Sequence, residues 1–401
     1  MFLVMKKEHP FQKHPMISVL AAVALATLPA QPIQNVPVLT YGQDPTRSAN
    51  ITWRNHEMRG EIELKSKGKG SRKLGAKTQT TTLPSGQKWN YHSAFADRLR
   101  PGEPYQYRIP GGNWLQFRTP SGNQRSLRFL YFGDVQSNID TAWQPILKLA
   151  YERCPDAAFM VFAGDLIDSA HDDYQWSDFF RPGEKYFGQI PVVATPGNHE
   201  YKSIIAMETA RLSYHWKAQF EYPKNGYPGL DEQSYIVEFP QMRIISMNSN
   251  RFVKEQAAWL DKKLAELPSK WTFVTYHHPV FSLAKNRDNR LVRTLWDPVF
   301  RKHNVAMALQ GHDHIYGRWI APRADQQGST TYITSVAGTK MYEPNPEEAK
   351  RTKKWMKRTR TFQIIEVSGN RLTYTSYDHT GKKVDSTVLQ RSGTGAVQVI
   401  Q

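Results

Sequence analysis

Apolar and polar positions follow two different patterns along this chain. From about residue 127 onward, short apolar segments alternate with stretches whose apolar residues recur at helical spacing. The helical pattern predicts helices over about 141–153 and 255–267. The apolar segments predict buried strands, which lie at 127–132, 158–163, 191–194, 272–276 and 305–309. Buried strands that alternate with helices indicate an α/β sheet covered on both faces.

Residues 36–120 have an all-β pattern instead. Short segments rich in β-branched and aromatic residues, such as 50–53 and 105–109, alternate with Gly/Pro turns. The segment from Leu99 to Tyr105 has the spacing of a tyrosine corner, in which a Tyr hydroxyl bonds to upstream backbone. We therefore predict an N-terminal β-sandwich that resembles a fibronectin type III domain, with a linker at 119–124.

The first thirty residues have the pattern of a secretory signal peptide. Lysines at positions 6, 7 and 13 precede an uncharged apolar run from Met16 to Ala30, and Ala24-Leu25-Ala26 offers a small-residue cleavage site. An uncleaved anchor or a buried helix is the alternative interpretation. Later in the chain no apolar stretch is long enough to predict a membrane span. Because Cys154 is the single cysteine, no intramolecular disulfide can form. We expect an exported protein of the periplasm, the cell surface or the medium.

The formal net charge of +17 on 401 residues predicts attraction to polyanions or phosphorylated substrates. Basic residues are concentrated at 65–77 and 350–360, without the interleaved aromatics of a single-strand-binding groove. Solvated faces are the plainer interpretation of both runs. We expect a phosphorylated small molecule or a polyanionic substrate as partner, and find no specific nucleic-acid motif. The sequence does not give the oligomeric state.

Each predicted core strand is followed by polar residues typical of metal sites. The motifs are Gly133-Asp-Val-Gln136, Gly164-Asp-Leu-Ile-Asp168, Gly197-Asn-His-Glu200, His277-His278 and Gly311-His-Asp-His314. Each motif alone occurs by chance, but ligands of α/β sheets gather at the carboxyl ends of the strands. The ordered set therefore predicts one site, with candidate ligands Asp134, Gln136, Asp165, Asn198, His277, His312 and His314. Oxygen and imidazole donors without thiolate favour Mn, Fe, Zn or Co over Ca.

This set of motifs resembles the calcineurin-like metallophosphoesterase superfamily over roughly residues 126–340. With the β-sandwich in front, the chain resembles purple acid phosphatases or a bacterial relative of them. The segment 370–378 is similar to their closing strands. The resemblance implies a four-layer α/β/β/α domain over 125–340, followed by a C-terminal helix and closing strands over 341–401.

The resemblance also implies roles for single residues. Asp134 and His314 would hold the first metal, and Asp165 would bridge both. Asn198, His277 and His312 would complete the second. His199 would lie beside the leaving group, and the Asp168 acid would pair with it, fixing its tautomer and raising its pKa.

Two positions depart from the family pattern. Gln136 stands where the first motif usually ends in His, so it is a weaker, neutral ligand or no ligand. Asp168 stands where purple acid phosphatases have the Tyr that binds ferric iron. We therefore expect two divalent ions and no purple colour.

The resulting prediction is an exported metal-dependent hydrolase of phosphate esters, chiefly monoesters, that uses a water activated between two cations. A phosphodiesterase or nucleotidase with the same core is the nearest alternative. A non-catalytic scaffold and a polyanion-binding surface protein are alternatives of another class.

Overall fold

The computed structural model describes residues 32–83, 85–124, 126–201 and 211–401. The predicted signal peptide at 1–30 lies outside these residues. Among the described helices, none has the length and apolar character needed to cross a bilayer. Residues Pro32–Gln401 form one compact unit.

The part of the chain before residue 120 is built from β-strands, as predicted. They are β1 (Val38–Tyr41), β2 (Ala49–Asn55), β3 (Glu61–Ser66), β4 (Arg72–Gly75), β5 (Lys77–Thr82), β6 (Lys88–Ala96), β7 (Pro104–Arg108) and β8 (Leu115–Arg118). Strands β4, β3, β7 and β8 form a separate antiparallel sheet in that order. An apolar cluster that includes Leu39, Ile51, Ile62 and Tyr107 packs these strands together.

The predicted tyrosine corner is present at the start of β7. The Arg100 backbone N–H donates to the Tyr105 hydroxyl at 2.8 Å, and the Tyr105 ring stacks on Phe117. The bond fixes the loop between β6 and β7 onto the small sheet. The fibronectin type III identity of this region stays a prediction.

The middle of the chain alternates strands and helices. Its elements are β9 (Leu127–Phe132), α1 (Ile139–Arg153), β10 (Met160–Phe162), α2 (Asp173–Phe180), α3 (Glu184–Phe187), β11 (Val192–Ala194), a 3₁₀ turn (His199–Tyr201), α4 (Tyr214–Gln219), β12 (Tyr235–Glu238), β13 (Met242–Ser246), α5 (Val253–Glu266), β14 (Trp271–Thr275), α6 (Arg290–Lys302), β15 (Met307–Gln310), β16 (Tyr316–Pro322) and β17 (Ser329–Thr334). The predicted strands and helices are all present, with ends shifted by a few residues.

The C-terminal part closes the fold. It contains α7 (Pro346–Arg351), β18 (Lys354–Met356), β19 (Thr361–Ser368), β20 (Arg371–Asp378), β21 (Lys383–Arg391) and β22 (Val397–Val399). Strand β19 pairs antiparallel with β9. The closing strands therefore extend the central sheet on the far side of β9.

The central sheet has eleven strands in the order β22-β21-β20-β19-β9-β10-β11-β1-β2-β6-β5. Strand β1 pairs in parallel with β11, with Thr40 opposite Val192. Part of the N-terminal β region is thus continuous with the sheet that carries the first three motifs. The sequence pattern does not reveal this continuity, because strand pairing across 150 residues leaves no local signal.

A second sheet has seven strands in the order β12-β13-β14-β15-β17-β16-β18. The two sheets share an apolar core, in which the rings of Phe129 and Phe273 meet edge to face at 5.2 Å. Residues of α1 such as Trp143 pack on the outer side of the central sheet. Leu260 of α5 and Trp296 of α6 pack on the outer side of the second. These are the predicted four layers, α/β/β/α.

Candidate metal centre

The five motifs meet where the parallel strands of both sheets end. Strands β9, β10 and β11 are parallel in one sheet, and β14 and β15 are parallel in the other. Their carboxyl ends lie at the same edge of the molecule. Directly after them, the backbone of Asp134, Asp165, His312 and His314 takes positive φ angles, between 32° and 74°. Such strained turns are typical of functional sites.

Two motif glycines permit the close approach of neighbouring loops. A Cβ atom on Gly164 would lie 2.6 Å from the Gly197 backbone nitrogen. One on Gly197 would lie 2.1 Å from Asp165 Oδ1. Any side chain at either position would therefore push the Asp165 loop away from the Asn198 loop.

Two groups of ligand-type side chains share one carboxylate. Asp165, His277 and His312 form one group, and Asp134, Asp165 and His314 form the other. Within each group the ligand atoms lie within 4.8 Å of one another. Asp165 is only 1% exposed and belongs to both groups. This is the arrangement of a dinuclear centre with a bridging carboxylate.

Asn198 completes the first of these groups. Its Oδ1 atom lies 3.1 Å from His277 Nε2 and 3.0 Å from His312 Nδ1, and those two ring nitrogens are 3.1 Å apart. His277 Nε2 also lies 3.0 Å from Asp165 Oδ2. Four atoms that could bind a metal thus come together from four separate loops.

Backbone carbonyls orient two of the imidazole rings. His277 Nδ1–H donates to the Ala163 carbonyl at 2.9 Å, and His314 Nδ1–H donates to the Lys340 carbonyl at 3.0 Å. Because a carbonyl only accepts, Nδ1 carries the proton in both rings and Nε2 faces the cluster. This is how proteins orient metal-binding histidines.

The electrostatics of the cluster fit divalent cations. Burial raises the pKa of Asp134 well above its ordinary value, and its Oδ1 atom is buried without a hydrogen-bond partner. Burial also lowers the pKa of His314 to about 3, which leaves the ring neutral. Burial would lower the pKa of His277 too, but the facing Asp165 and Asp134 raise it to about 9. A cation among these carboxylates and ring nitrogens would satisfy the buried oxygen and replace the proton on His277.

Gln136 lies beside the second group and directs its amide nitrogen toward two of its members. Nε2 is 3.0 Å from Asp165 Oδ2 and 2.9 Å from His314 Nε2, whereas Oε1 is buried without a partner. Metal ligation would require the amide oxygen, which exchanges places with the nitrogen by a half-turn of the amide. The role of Gln136 as a metal ligand therefore stays a prediction.

His199 lies beside the bridging carboxylate. Its backbone N–H donates to Asp165 Oδ1 at 2.9 Å, and its Nε2 atom lies 4.0 Å from Asp165 Oδ2. Its Nδ1–H donates to the backbone carbonyl of Asp168 at 2.6 Å. The ring is therefore fixed with Nε2 toward the cluster.

The predicted pairing of the Asp168 carboxylate with His199 is wrong. That carboxylate accepts instead from the Ser137 backbone N–H at 3.0 Å and from the Ser137 hydroxyl at 3.2 Å. The main chain of Asp168 turns its carbonyl to His199, and Gln175 Oε1 holds the N–H groups of Asp168 and Ser169. The family resemblance implies that Asp168 lies close to His199 but does not tell which of its oxygens accepts.

Glu200 is a buried carboxylate that supports the ligand loops. It accepts from the backbone N–H groups of Asp165 at 3.0 Å, Gly197 at 2.6 Å and Leu166 at 2.8 Å. It thereby ties the turn that presents Asp165 to the turn that presents Asn198. Its role as an acceptor behind the ligands fits its place in the third motif.

Sequence reasoning missed two residues at the rim. Asp313, inside the last motif, accepts from the backbone N–H groups of Leu283 and Ala284 and fixes the loop after His278. Tyr342 meets the His314 ring edge to face at 4.9 Å. No pattern around residue 342 distinguishes it from an ordinary surface tyrosine.

Arg287 is a basic residue with direct contacts to the cluster. It donates to the His312 carbonyl at 2.6 Å, and its guanidinium lies 4.5 Å from the centre of the Tyr342 ring. Lys285 and Arg290 are exposed. His278 bonds with Ser249, and His171 stacks on Tyr214 outside the cluster.

Known proteins resemble this chain in sequence and in fold. Residues 127–316, just under half of the chain, match the family model described as calcineurin-like phosphoesterase. The structure of a purple acid phosphatase from yellow lupin seeds superposes with a TM-score of 0.76 and 18% identity, covering 90% of this chain and 74% of that one. The chain therefore shares its fold with that purple acid phosphatase.

Relatives found by sequence also have low identity to this chain. An uncharacterized protein of Mycobacterium tuberculosis is 26% identical over 234 residues, which is 49% of this chain and 43% of the relative. The chain thus spans less than half the length of that protein. Mouse acid phosphatase type 7 is 23% identical, covering 88% of this chain and 90% of the relative. Human tartrate-resistant acid phosphatase type 5 is 20% identical, covering 67% and 93%.

Proposed function

We propose that this protein is an exported, metal-dependent phosphatase that hydrolyses phosphate monoesters. The observation that carries the proposal is Asp165, which belongs to two ligand groups and lies beside the inward-facing Nε2 of His199. The phosphoesterase fold and the acid phosphatase relatives support the same reaction class.

We propose a separate set of ligands for each of the two ions. Asp134, Asp165 and His314, with Gln136, would hold one ion, and Asp165, Asn198, His277 and His312 would hold the other. When bound, two divalent ions supply positive charge for the phosphoryl oxygens and a water activated at neutral pH.

His199 would supply the proton for the leaving group. The Asp168 carbonyl accepts from Nδ1 whether the ring is neutral or protonated, so Nε2 can lose and regain its proton without a turn of the ring. The bond of the His199 main chain to Asp165 keeps the ring at a fixed distance from the ligand cluster. A positioned group of this kind contributes about 10²–10³-fold to the rate.

Arg287 and Tyr342 would border the phosphate-binding space on the His312 and His314 side. The Arg287 guanidinium is fixed by the His312 carbonyl and by the Tyr342 ring. It therefore offers a preorganised positive charge near the ligands.

Metal analysis of the purified protein, combined with a substrate screen, tests the proposal. We expect two ions per chain and faster hydrolysis of monoesters than of diesters with added Mn, Zn, Fe or Co. Faster hydrolysis of diesters would favour the phosphodiesterase alternative, since the same core serves both. Two ions without turnover of any ester would favour a non-catalytic scaffold.

Export is a separate part of the proposal and depends on the pattern of the first thirty residues. Sequencing the N-terminus of protein from fractionated cells tests it. We expect a mature chain that begins after Ala26 in the exported fraction. An intact chain confined to the cytosol would contradict export.

A further inference from the structure

The small N-terminal sheet carries a pocket lined by five cationic side chains. The pocket has a volume of about 220 Å³, and its cations are Lys65, Lys69, Arg72, Arg98 and Arg100. No carboxylate belongs to its lining among the described residues. None of the candidate metal ligands lies on this sheet, so the pocket is separate from the metal centre.

The charge of this pocket is poorly neutralised. Asp97 is the nearby carboxylate, at 3.7 Å from Arg72 and 3.5 Å from Arg98. Within the described chain, no ion pair with a carboxylate is found for Lys65, Lys69 or Arg100. The pocket and its neighbour Asp97 therefore keep several excess positive charges, on a chain with a net charge of +17. Cations that line one pocket repel one another, and an anion bound among them relieves that repulsion.

The positions of these cations are set by regular structure. Lys65 lies on β3, opposite Gln106 of β7, and the Lys69 backbone N–H closes a turn on the Ser66 carbonyl. Arg100 is fixed at its backbone by the hydroxyl of Tyr105, which also lines the pocket. The cations thus project from a fixed frame and not from a loose tail, which lowers the entropic cost of binding.

We propose that this pocket binds phosphate groups of a soluble, linear phosphate polymer. Guanidinium groups match phosphate oxygens in bidentate geometry, and lysines add point charges. A single phosphate fills only part of the volume, whereas consecutive phosphates of one chain would meet several of the cations together.

Two other polyanions fit the surface less well. Nucleic acid would need an open aromatic face for its bases, but the nearby Trp114 is covered by Lys65 at 3.7 Å and by Arg108 at 4.6 Å. An anionic bilayer would be favoured by apolar side chains that insert beside the cations. None of the large exposed hydrophobic residues of the described chain, such as Met58 and Phe95, lines the pocket.

Binding of inorganic polyphosphate to the full chain tests this inference. The pocket variant is Lys65→Gln/Lys69→Gln/Arg100→Gln, and the control is Lys254→Gln/Lys262→Gln/Lys382→Gln, which removes the same charge from other exposed positions. We expect the pocket variant to bind at least tenfold more weakly than the control. The slope of log Kd against log salt should fall by roughly two, because each of the three lost phosphate contacts removes about 0.7 unit on a single-stranded polyanion.

Two further readouts complete the design. Hydrolysis of a small ester and the melting temperature should match wild type in both variants, because neither set touches the metal centre or the core. Polymer length is checked after each measurement, so that hydrolysis is not mistaken for weak binding. Equal losses in the pocket and control variants would overturn the inference, since the effect would then be one of net charge. Binding to phosphatidylglycerol vesicles without binding to polyphosphate would overturn it in favour of a membrane surface.

Discussion

The Nδ1 atom of His199 lies 2.6 Å from the backbone carbonyl oxygen of Asp168, while the Asp168 carboxylate bonds to Ser137. The proton on Nδ1 is therefore fixed by main chain and not by an acid. A carbonyl orients an imidazole without adding a formal charge beside it. Asp168 acts on the His199 ring through its backbone carbonyl and not through its carboxylate. Mutations can therefore test the two side chains separately.

We expect His199→Ala and Asp168→Asn to differ strongly in rate. Loss of the imidazole should lower kcat by about 10²–10³-fold with metal content unchanged. Asp168→Asn keeps the carbonyl and one acceptor for Ser137, so kcat should fall by less than about tenfold. Steady-state kinetics on an activated monoester, with metal analysis of each variant, measure both. An equal loss of kcat in the two variants would contradict this prediction, because it would give the Asp168 carboxylate a part in the reaction.

The protein loaded with iron should show no charge-transfer band in the visible region. Asp168 replaces the tyrosine that the family resemblance associates with ferric iron, and its carboxylate is engaged by Ser137. No phenolate donor is therefore expected on the first ion. Absorption spectra of iron-grown and manganese-grown protein make the comparison. A visible band in the iron form alone would contradict the assignment.

Much of the site follows from sequence because its ligands come directly after buried strands. Strand ends such as Phe132 and Thr275 are marked by an apolar run that stops at a polar residue, and parallel strands bring those ends together. Asp165 and His277 are therefore recognisable from the sequence as candidate ligands. Contacts made through backbone atoms cannot be predicted in this way, because every residue type has a carbonyl. The bond from His199 to the Asp168 carbonyl is a contact of this kind.

The fold, like the site, has features that the sequence predicts and features that it does not. Periodicity predicts an α/β sheet covered on both faces, and the family resemblance adds the second sheet of the four layers. It does not predict that β1 pairs with β11, because that contact depends on the packing of segments far apart in sequence. Tyr342 was missed for a similar reason. Its place against His314 results from the path of a loop that carries no periodic signal.

Gln136 should control the affinity of one ion. Its amide nitrogen contacts both Asp165 and His314, two members of the same ligand group. Whether it ligates or orients the ligands, Gln136→Ala should weaken binding of the first ion by about 10–100-fold and leave the second unchanged. Titration of the metal-free protein, read as two successive binding steps, measures this. Two unchanged steps would show that Gln136 has no part in the centre.

The buried pair of Arg54 and Asp173 should be a large contributor to stability. Arg54 on β2 forms an ion pair with Asp173 at the start of α2, donates to Ser177 at 2.8 Å and stacks on Trp89 at 4.5 Å. Arg54→Ala leaves the buried Asp173 without its cation and should cost about 3–5 kcal/mol of unfolding free energy. Denaturant unfolding at constant metal concentration gives the value.

The double variant Arg54→Met/Asp173→Leu is the control for that measurement. It removes both charges and replaces them with apolar groups, so it should recover much of the loss. If Arg54→Ala costs less than about 1 kcal/mol, the pair is not effectively buried in solution. If the double variant is as unstable as the single one, packing and not charge explains the loss.

Glu232 should make stability decrease as the pH rises. Burial raises the pKa of the Glu232 carboxyl from 4.5 to about 7. The hydrogen bond from the Tyr222 backbone N–H has the opposite effect and lowers this pKa. Neighbouring Glu221 and Asp231 raise the pKa further, and Lys224 lowers it. Between pH 4.5 and 7 the folded protein therefore binds more protons than the unfolded chain, and stability is lost as the pH rises through this window.

Glu232→Gln isolates this contribution, because the amide keeps an acceptor for Tyr222 and does not titrate. Below pH 4.5 the variant and the wild type should differ little. Above pH 7 the variant should be more stable by about 2–4 kcal/mol, since each unit of pKa shift corresponds to about 1.4 kcal/mol. Urea unfolding of both proteins from pH 4 to 8, at one metal concentration, gives the difference curve. The other titrating groups are the same in both proteins, so their contributions cancel in that difference. If the two stability curves run parallel, ionisation of Glu232 does not destabilise the folded protein, and the prediction is wrong.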